Sequence, residues 1–376
     1  MISIPVELGA SGYPIEIETG SLERIGVALA SLGSVSRILL VSDEQVDAIY
    51  GDIVSKSIVE RGLDLDVTVI PVGEESKSIE VAYSLWERFL KIKADRRSVA
   101  VALGGGVVGD LTGFVSATYQ RGIRFFQIPT SLLAQVDSSV GGKTAINLPA
   151  GKNMVGAFYQ PCAVLIDPNV LRSLPLIQYR SGLGEVMKYG TSLDEDFFSL
   201  LENNIERINS RDPDFLEEIV ARCCRIKARI VAEDEKEITG RRAVLNYGHT
   251  LGHAIETALG YGKLPHGFGV SIGAILAARL AAKLAEKGDE RFTEINNAWI
   301  DRQINLARSL GLPVCLDDVG RTYSDSPETT PKNLLAIASS DKKAEFDRLN
   351  FVLPTRLGDC VYVKNVSPED ILAILN

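Results

Sequence analysis

Short β-branched runs recur through the first half of the chain. Arg37–Val41 (RILLV), Val67–Pro71 (VTVIP), Val99–Leu103 (VAVAL), Ile123–Ile128 and Ala163–Ile166 carry almost no polar positions. Runs of that length and composition predict strands buried on both faces. Amphipathic segments separate them. A helical stretch follows Val41 as far as Glu60. Another covers Ile79–Ile92, with Val81, Leu85, Phe89 and Ile92 at helical spacing. Strand–helix alternation predicts an α/β layer with a mostly parallel sheet. From about Gln178 the period changes to 3–4. Phe197, Leu200, Leu201, Ile205 and Ile208 form one stripe, and Leu216, Ile219, Val220, Cys223, Ile226 and Ile230 form a second. An Ala-rich helix is predicted over Gly269–Lys287. The change of period places a boundary near Leu174–Pro175, giving an α/β domain over residues 1–175 and an all-α domain over residues 176–376.

Length supports that division, since 376 residues at about 150 per domain make two or three domains. Apolar residues at 45% and charged residues at 24% are ordinary for a globular protein and exclude a disordered or collagen-like chain. A net charge of −9 argues against nucleic acid as a partner. The five cysteines form no C-x-x-C pair, so neither a disulfide framework nor a thiolate zinc site is predicted. The apolar stretch Gly269–Ala278 is closed by Arg279 and Lys283, short of the ~20 residues of a membrane span. The first residues, MISIPVELGA, lack the pattern of a signal peptide. A cytoplasmic enzyme without a membrane partner is the expectation.

Three groups of residues suggest chemistry. Gly104–Gly109 follows the predicted strand VAVAL in a G-x-G-x-x-G pattern, where backbone N–H groups and a helix N-terminus can receive a pyrophosphate. The same glycines also suit a plain tight turn. Asp43 ends the strand RILLVS, where a carboxylate can bind ribose hydroxyls. Glu74 and Lys77 follow the next strand. A second group is basic: Lys143 and Lys152 lie among small residues in QVDSSVGGKTAINLPAGKN, with Asp137 and Asn153 nearby and Arg121 in a preceding YQRG turn. Such cations suit a phosphate or carboxylate, although a single lysine is usually solvated surface charge. The third group holds all three histidines, His249, His253 and His266. A catalytic zinc usually takes three protein ligands and leaves one position open. Helical spacing favours His249 with His253; His249 with His266 is the other arrangement, leaving His253 for substrate or proton transfer. H-T-L-G-H has no Glu beside the first His, so it is not a zinc protease helix.

The blocks GGGVVGDLTGFVSATYQRG, IPTSLLAQVDSSVGGKTAIN, AGKNMVGAFYQP, SGLGEVMKYG, LNYGHTLGHAIE and LPHGFGVSIG together resemble the 3-dehydroquinate synthase family over nearly the whole chain. The resemblance implies a Rossmann-like NAD-binding domain followed by a helical metal- and substrate-binding domain. It implies zinc or cobalt held by Glu185, His249 and His266. It implies NAD held by Asp43, Glu74, Lys77, Gly105, Gly106, Val107, Val108, Gly109, Asp110, Thr130 and Ser131, with Lys143 and Lys152 close by. The implied substrate is 3-deoxy-D-arabino-heptulosonate 7-phosphate of the shikimate pathway. Arg121, Lys143, Lys152, Asn153, Arg242, His253 and Lys342 or Lys343 would hold its phosphate and carboxylate, with Asp137, Lys188, Lys227 and Asn246 at its other polar groups. The implied reaction is a lyase reaction in which NAD is reduced and reoxidised, phosphate is eliminated and an aldol step closes the ring. A homodimer is common in the family, and domain closure is expected. The run DEKEITGRR at Asp234–Arg242 is one residue longer than the family pattern, which leaves Arg241 as a rival to Arg242. Two rival activities share this architecture: another sugar phosphate cyclase, such as amino-dehydroquinate synthase, and an NAD- and metal-dependent polyol dehydrogenase.

Overall fold

The β-branched runs fold into strands of one sheet: Ile38–Asp43, Val99–Gly104, Arg124–Pro129 and Ala163–Ile166 are buried on both faces, whereas the edge strand Leu65–Ile70, expected to be buried likewise, leaves Val67 and Val69 exposed. In the computed structural model, which describes residues 1–149, 151–260, 262–320, 326–341 and 349–375, the chain divides into two units. The first comprises residues 1–174 and 213–236, the second residues 175–212 and 237–376.

The first unit is built on seven strands: β1 (Ile2–Val6), β2 (Tyr13–Ile17), β3 (Ile38–Asp43), β4 (Leu65–Ile70), β5 (Val99–Gly104), β6 (Arg124–Pro129) and β9 (Ala163–Ile166). Their order is β1-β2-β9-β6-β5-β3-β4; β1 and β2 pair antiparallel and all other pairs are parallel. Period-2 alternation divides β3 and β5 between two cores. Ile38, Leu40, Val99, Val101 and Leu103 pack with α1 (Ile25–Ser31) and α2 (Asp52–Val59). Leu39, Val41, Ala100 and Ala102 face α3 (Ile79–Lys91) and α4 (Gly106–Thr118). Phe89 of α3 is fully buried with its ring edge-on to Tyr119, 5.1 Å between centroids. Truncating such a residue to Ala costs about 3–5 kcal/mol.

From β3 the chain moves outward to β4, and from β5 it moves the opposite way to β6. The switch point therefore lies between the carboxyl ends of β3 and β5, where open α/β sheets bind ligands. Those ends carry Asp43 and the glycine turn.

The small-residue stretch that carries Lys143 and Lys152, for which no strand was predicted, forms a hairpin of β7 (Lys143–Leu148) and β8 (Gly151–Phe158). Most residues of β8 are exposed, including Met154, so no apolar alternation marks it as a strand. A second difference concerns α6 (Pro213–Glu233). Its period matches that of the later helices, but it belongs to the first unit. Cys224 Sγ lies 3.3 Å from the Gln135 carbonyl, Lys227 reaches Asp137, and Glu217 accepts from Thr19. Periodicity identifies the buried face of a helix but not its neighbour.

The second unit contains α5 (Leu176–Leu193), α7 (His249–Leu259) and α8 (His266–Glu286). It is not wholly helical: β10 (Leu349–Arg356) and β11 (Asp359–Val366) form an antiparallel hairpin that shares its apolar core. Pro354 inside β10 weakened that strand signal in the sequence. Helix α8 is longer than expected, with 21 residues; an 18-residue stretch of it has a mean hydropathy of 1.6, and 61% of that stretch is buried within the fold. That is how a core helix of a globular unit behaves. Glycines let it approach its neighbours to backbone contact. A Cβ on Gly267 would lie 1.7 Å from the Ser181 carbonyl oxygen, and one on Gly273 would lie 2.0 Å from that of Gly248.

Candidate functional site

In the first unit the glycine turn is built as the motif requires. Helix α4 begins at Gly106 with Gly105 as N-cap and no side-chain cap, so its first N–H groups remain available to an anion. A Cβ on Gly106 would sit 3.0 Å from Ser138 Oγ, and one on Gly104 would sit 2.5 Å from a Val108 methyl. Thr130 is buried and donates its N–H to Gly104 O, while Ser131 Oγ accepts from Ala134 N–H. Val107, Gly109 and Asp110 are half-buried and Val108 is buried. Asp43 caps the segment that follows β3: one carboxylate oxygen accepts from Gln45 and Val46 at 3.0 Å each.

A polar network joins the loop after β4 to the β7–β8 hairpin. Lys77 is buried at 4% exposure, and its Nζ donates to Asp110 and to Asn153, both at 2.6 Å. Glu74 lies 3.8 Å from Lys152 Nζ and accepts from Asn147 at 2.8 Å. Asn147 also accepts from the backbone N–H of Asn153, a residue with φ of 57°. Asn147 was not singled out in the sequence. Its signal is local, a polar residue near the end of a strand whose partner strand carries the GKN run. Lys143 is exposed at the first position of β7. Asp137 pairs with Lys227 at 2.8 Å, a contact made by the return of α6 to this unit. Arg121 is exposed on a turn in which Gln120, Arg121 and Gly122 all have positive φ.

In the second unit Glu185, on α5, is completely buried. Its Oε1 lies 3.3 Å from His249 Nε2 and 3.2 Å from His266 Nε2, and its Oε2 lies 2.5 Å from Lys188 Nζ. Neither oxygen has a well-formed hydrogen bond. Lys188 also donates to Leu245 O at 2.8 Å. Burial alone would raise the Glu185 pKa, but Lys188 and the imidazoles outweigh it and hold the carboxylate well below its ordinary range. Burial lowers His249 against the pull of Glu185. Burial also opposes charge on His266, yet its close approach to Glu185 and its hydrogen bond to Glu256 prevail and raise it to about 10.

The His249 and His266 rings are both oriented through Nδ1, which lies 3.1 Å from Tyr247 O in His249 and 2.9 Å from Glu256 Oε1 in His266. His253 is also close, with ring centroids 5.2 and 5.7 Å from those of His249 and His266. All three histidines offer ligand atoms within 4.8 Å of one another. The fold thus gathers the residues of both arrangements left open by spacing. A buried carboxylate with unsatisfied oxygens beside two Nε2 atoms is a donor set suited to zinc or cobalt. Arg242 is buried at 2% exposure, with Nε 3.5 Å from Glu237, whereas Arg241 is exposed. Asn246 is half-buried just before the histidine helix. Lys342 and Lys343 lie outside the described residues.

A parallel sheet with an uncapped glycine turn at its switch point, and a helical unit holding a carboxylate–histidine cluster, define a class of nucleotide-binding α/β enzymes with a metal-binding helical half. The family described as 3-dehydroquinate synthase N-terminal matches residues 67–181, and that described as 3-dehydroquinate synthase C-terminal matches residues 182–344. The chain belongs to the 3-dehydroquinate synthase family. It is 45% identical to the 3-dehydroquinate synthase of Pelobacter propionicus, over all of this chain and 99% of that protein. It is equally identical to that of Desulforamulus reducens, over the full length of both. Among solved structures it is similar to ValA, a 2-epi-5-epi-valiolone synthase from Streptomyces hygroscopicus subsp. jinggangensis with NAD+ and Zn2+ bound. The TM-score is 0.84 at 26% identity, covering 96% of this chain and 95% of that one.

Proposed function

We propose that this chain converts 3-deoxy-D-arabino-heptulosonate 7-phosphate into 3-dehydroquinate and inorganic phosphate, with NAD and a zinc or cobalt ion as cofactors. The observation that carries the reading is the buried Glu185 carboxylate facing two imidazole Nε2 atoms at 3.2–3.3 Å. Full-length likeness to curated synthases supports it. When bound, the metal supplies Lewis acidity toward substrate hydroxyls. NAD, held by the residues named below, would supply a reversible hydride acceptor, so that no net oxidation results.

Glu185, His249 and His266 would hold the ion. Lys188 offsets the charge of Glu185 and keeps its carboxylate fixed. Asp43 and the α4 N-terminus would receive the ribose and pyrophosphate of NAD, with Glu74, Lys77, Thr130 and Ser131 around them. Lys143, Lys152, Asn153, Arg121, Arg242 and His253 would hold the phosphate and carboxylate of the substrate. Several of these groups are restrained before any ligand arrives: Asn153 by Lys77 and Asn147, Lys152 by Glu74, and Arg242 by burial. Cations held in place supply orientation for a departing dianion rather than bond-making. In this reading the phosphate of the substrate serves as its own base.

The five cysteines are free, which supports a reducing, cytoplasmic setting. The homodimer is proposed on the family resemblance, and sedimentation velocity tests it against a 40.8 kDa monomer. The activity test supplies the purified protein with NAD, zinc and the heptulosonate phosphate. One phosphate per substrate is expected, without NADH accumulating. Phosphate that stays flat while NAD and zinc are bound refutes the reading.

A further inference from the structure

We infer that Glu256 is a positioning residue for the metal cluster: by accepting the Nδ1–H of His266 it fixes that imidazole with Nε2 aimed at Glu185. The inference rests on the proposed ligand set of Glu185, His249 and His266.

Helix α7 carries His249, His253 and Glu256 at positions i, i+4 and i+7, which fall on one helix face. Glu256 Oε1 lies 2.9 Å from His266 Nδ1, and its side chain is 13% exposed. The carboxylate has a place to sit because of Gly269, one turn beyond His266 on α8. A Cβ there would lie 2.9 Å from Glu256 Oε1 and 3.1 Å from Gly252 O. A neutral imidazole has one N–H, and the partner of that N–H decides which nitrogen keeps a free lone pair. For His249 the partner is the carbonyl oxygen of Tyr247, which no side-chain substitution removes. For His266 it is a side chain on another helix. His266 is also the more exposed of the two rings, 30% against 12%, so less packing restrains it. Without Glu256 the ring is free to turn and present Nδ1 or Nε2. An anionic acceptor also makes the ligand nitrogen more basic. Removing such partners from metal-ligating histidines costs about 10- to 100-fold in metal affinity.

The experiment measures zinc affinity of the full chain by competition with a chromophoric chelator, together with the visible spectrum of the cobalt-loaded protein. Glu256→Ala is expected to weaken zinc by about 10- to 100-fold and to alter the cobalt bands. Glu256→Gln, whose amide oxygen can accept the same N–H, should recover most of that loss. Gly269→Ala, which crowds the carboxylate, should weaken zinc while leaving Glu256 in the chain. Circular dichroism of the metal-free proteins identifies variants that fold; if Glu256→Ala does not, the other two carry the comparison. His266→Ala is the reference. If it retains wild-type zinc affinity, the ligand set itself is wrong. If it loses zinc while Glu256→Ala, or Gly269→Ala where Glu256→Ala does not fold, keeps wild-type affinity and cobalt spectrum, the role of Glu256 alone is overturned. Equal loss in Glu256→Ala and Glu256→Gln also overturns it, because charge rather than ring orientation would then be the cause.

Discussion

Gly267→Ala is the most exacting perturbation that the fold offers. Gly267 follows His266, and Glu185 follows Gly184. At this crossing of α5 and α8 the backbones touch: a Cβ on Gly267 would lie 1.7 Å from Ser181 O, and one on Gly184 would lie 2.3 Å from Gly267 O. An ordinary contact is about 3.5 Å, so the alanine falls short by roughly 1.8 Å. Backbone cannot rotate away as a side chain can, so the helices must separate or tilt. Two effects oppose each other. Alanine gains up to about 1 kcal/mol over glycine in a helix interior. Overpacking costs about 1–3 kcal/mol and more when backbone must move. The clash is with a carbonyl, so the cost wins, with a net loss of about 1–2 kcal/mol and a fall in Tm of roughly 1–3 °C. The larger consequence is at the cluster. Metal sites tolerate ligand errors of about 0.2 Å, far less than the displacement required. Zinc affinity should drop at least tenfold, read by chelator competition on protein shown to be folded. A folded Gly267→Ala protein that binds zinc with the wild-type Kd would refute the idea that this crossing sets the distance between Glu185 and His266.

Other outcomes follow from the same geometry. His266→Ala should abolish zinc binding while His253→Ala retains it and shows its effect in KM for the substrate; equal zinc loss in both would restore the pairing of His249 with His253. The Asp95 carboxyl is held down from 3.8 to about 2, first by the Ser36 hydroxyl and then by the Arg97 N–H. Its folded pKa is the lower one, so its contribution to stability is complete above pH 3.8 and disappears as the pH falls toward 2. Asp95→Asn should therefore flatten the acid limb of a stability–pH curve, and an unchanged limb counts against the assignment. Burial pushes the Cys162 thiol up to about 11 and the Cys224 thiol up to about 12. Both should resist a disulfide reagent at pH 8 until denaturant is added, and rapid labelling of the native protein at either position would contradict that burial.

Five strands of the sheet and the glycine turn were legible because their signals are local, whereas β1, β2, β10 and β11 were not predicted. A short β-branched apolar run between polar segments reads as a strand, and Gly104–Gly109 follows such a run directly. The hairpin of β7 and β8 was not legible, since its outer strand is exposed and offers no alternation. The placement of α6 was hidden for another reason. Its apolar stripe would suit a helical bundle equally well, and only tertiary contacts such as that of Lys227 with Asp137 assign it to the sheet unit.

The cluster was legible in composition but not in arrangement. Three histidines in one window invited a metal, and the spacing of α7 favoured His249 with His253. Glu185 lies far off in sequence, and what brings it to His266 is a pair of glycines that spacing rules treat as breakers. Gly184 sits inside a helix, where it costs about 1 kcal/mol relative to Ala, and Gly267 lies in the first turn of another. They are retained where two backbones must touch, and the residue after one and before the other then face each other across the contact. At this crossing the glycines beside Glu185 and His266 are the local trace of the two helices meeting. Glu256 follows the same logic, since its acceptor role needs Gly269 on the facing helix. The chemistry of this unit is written in the pairing of small residues with polar neighbours across helices, a relation that no single window of sequence contains.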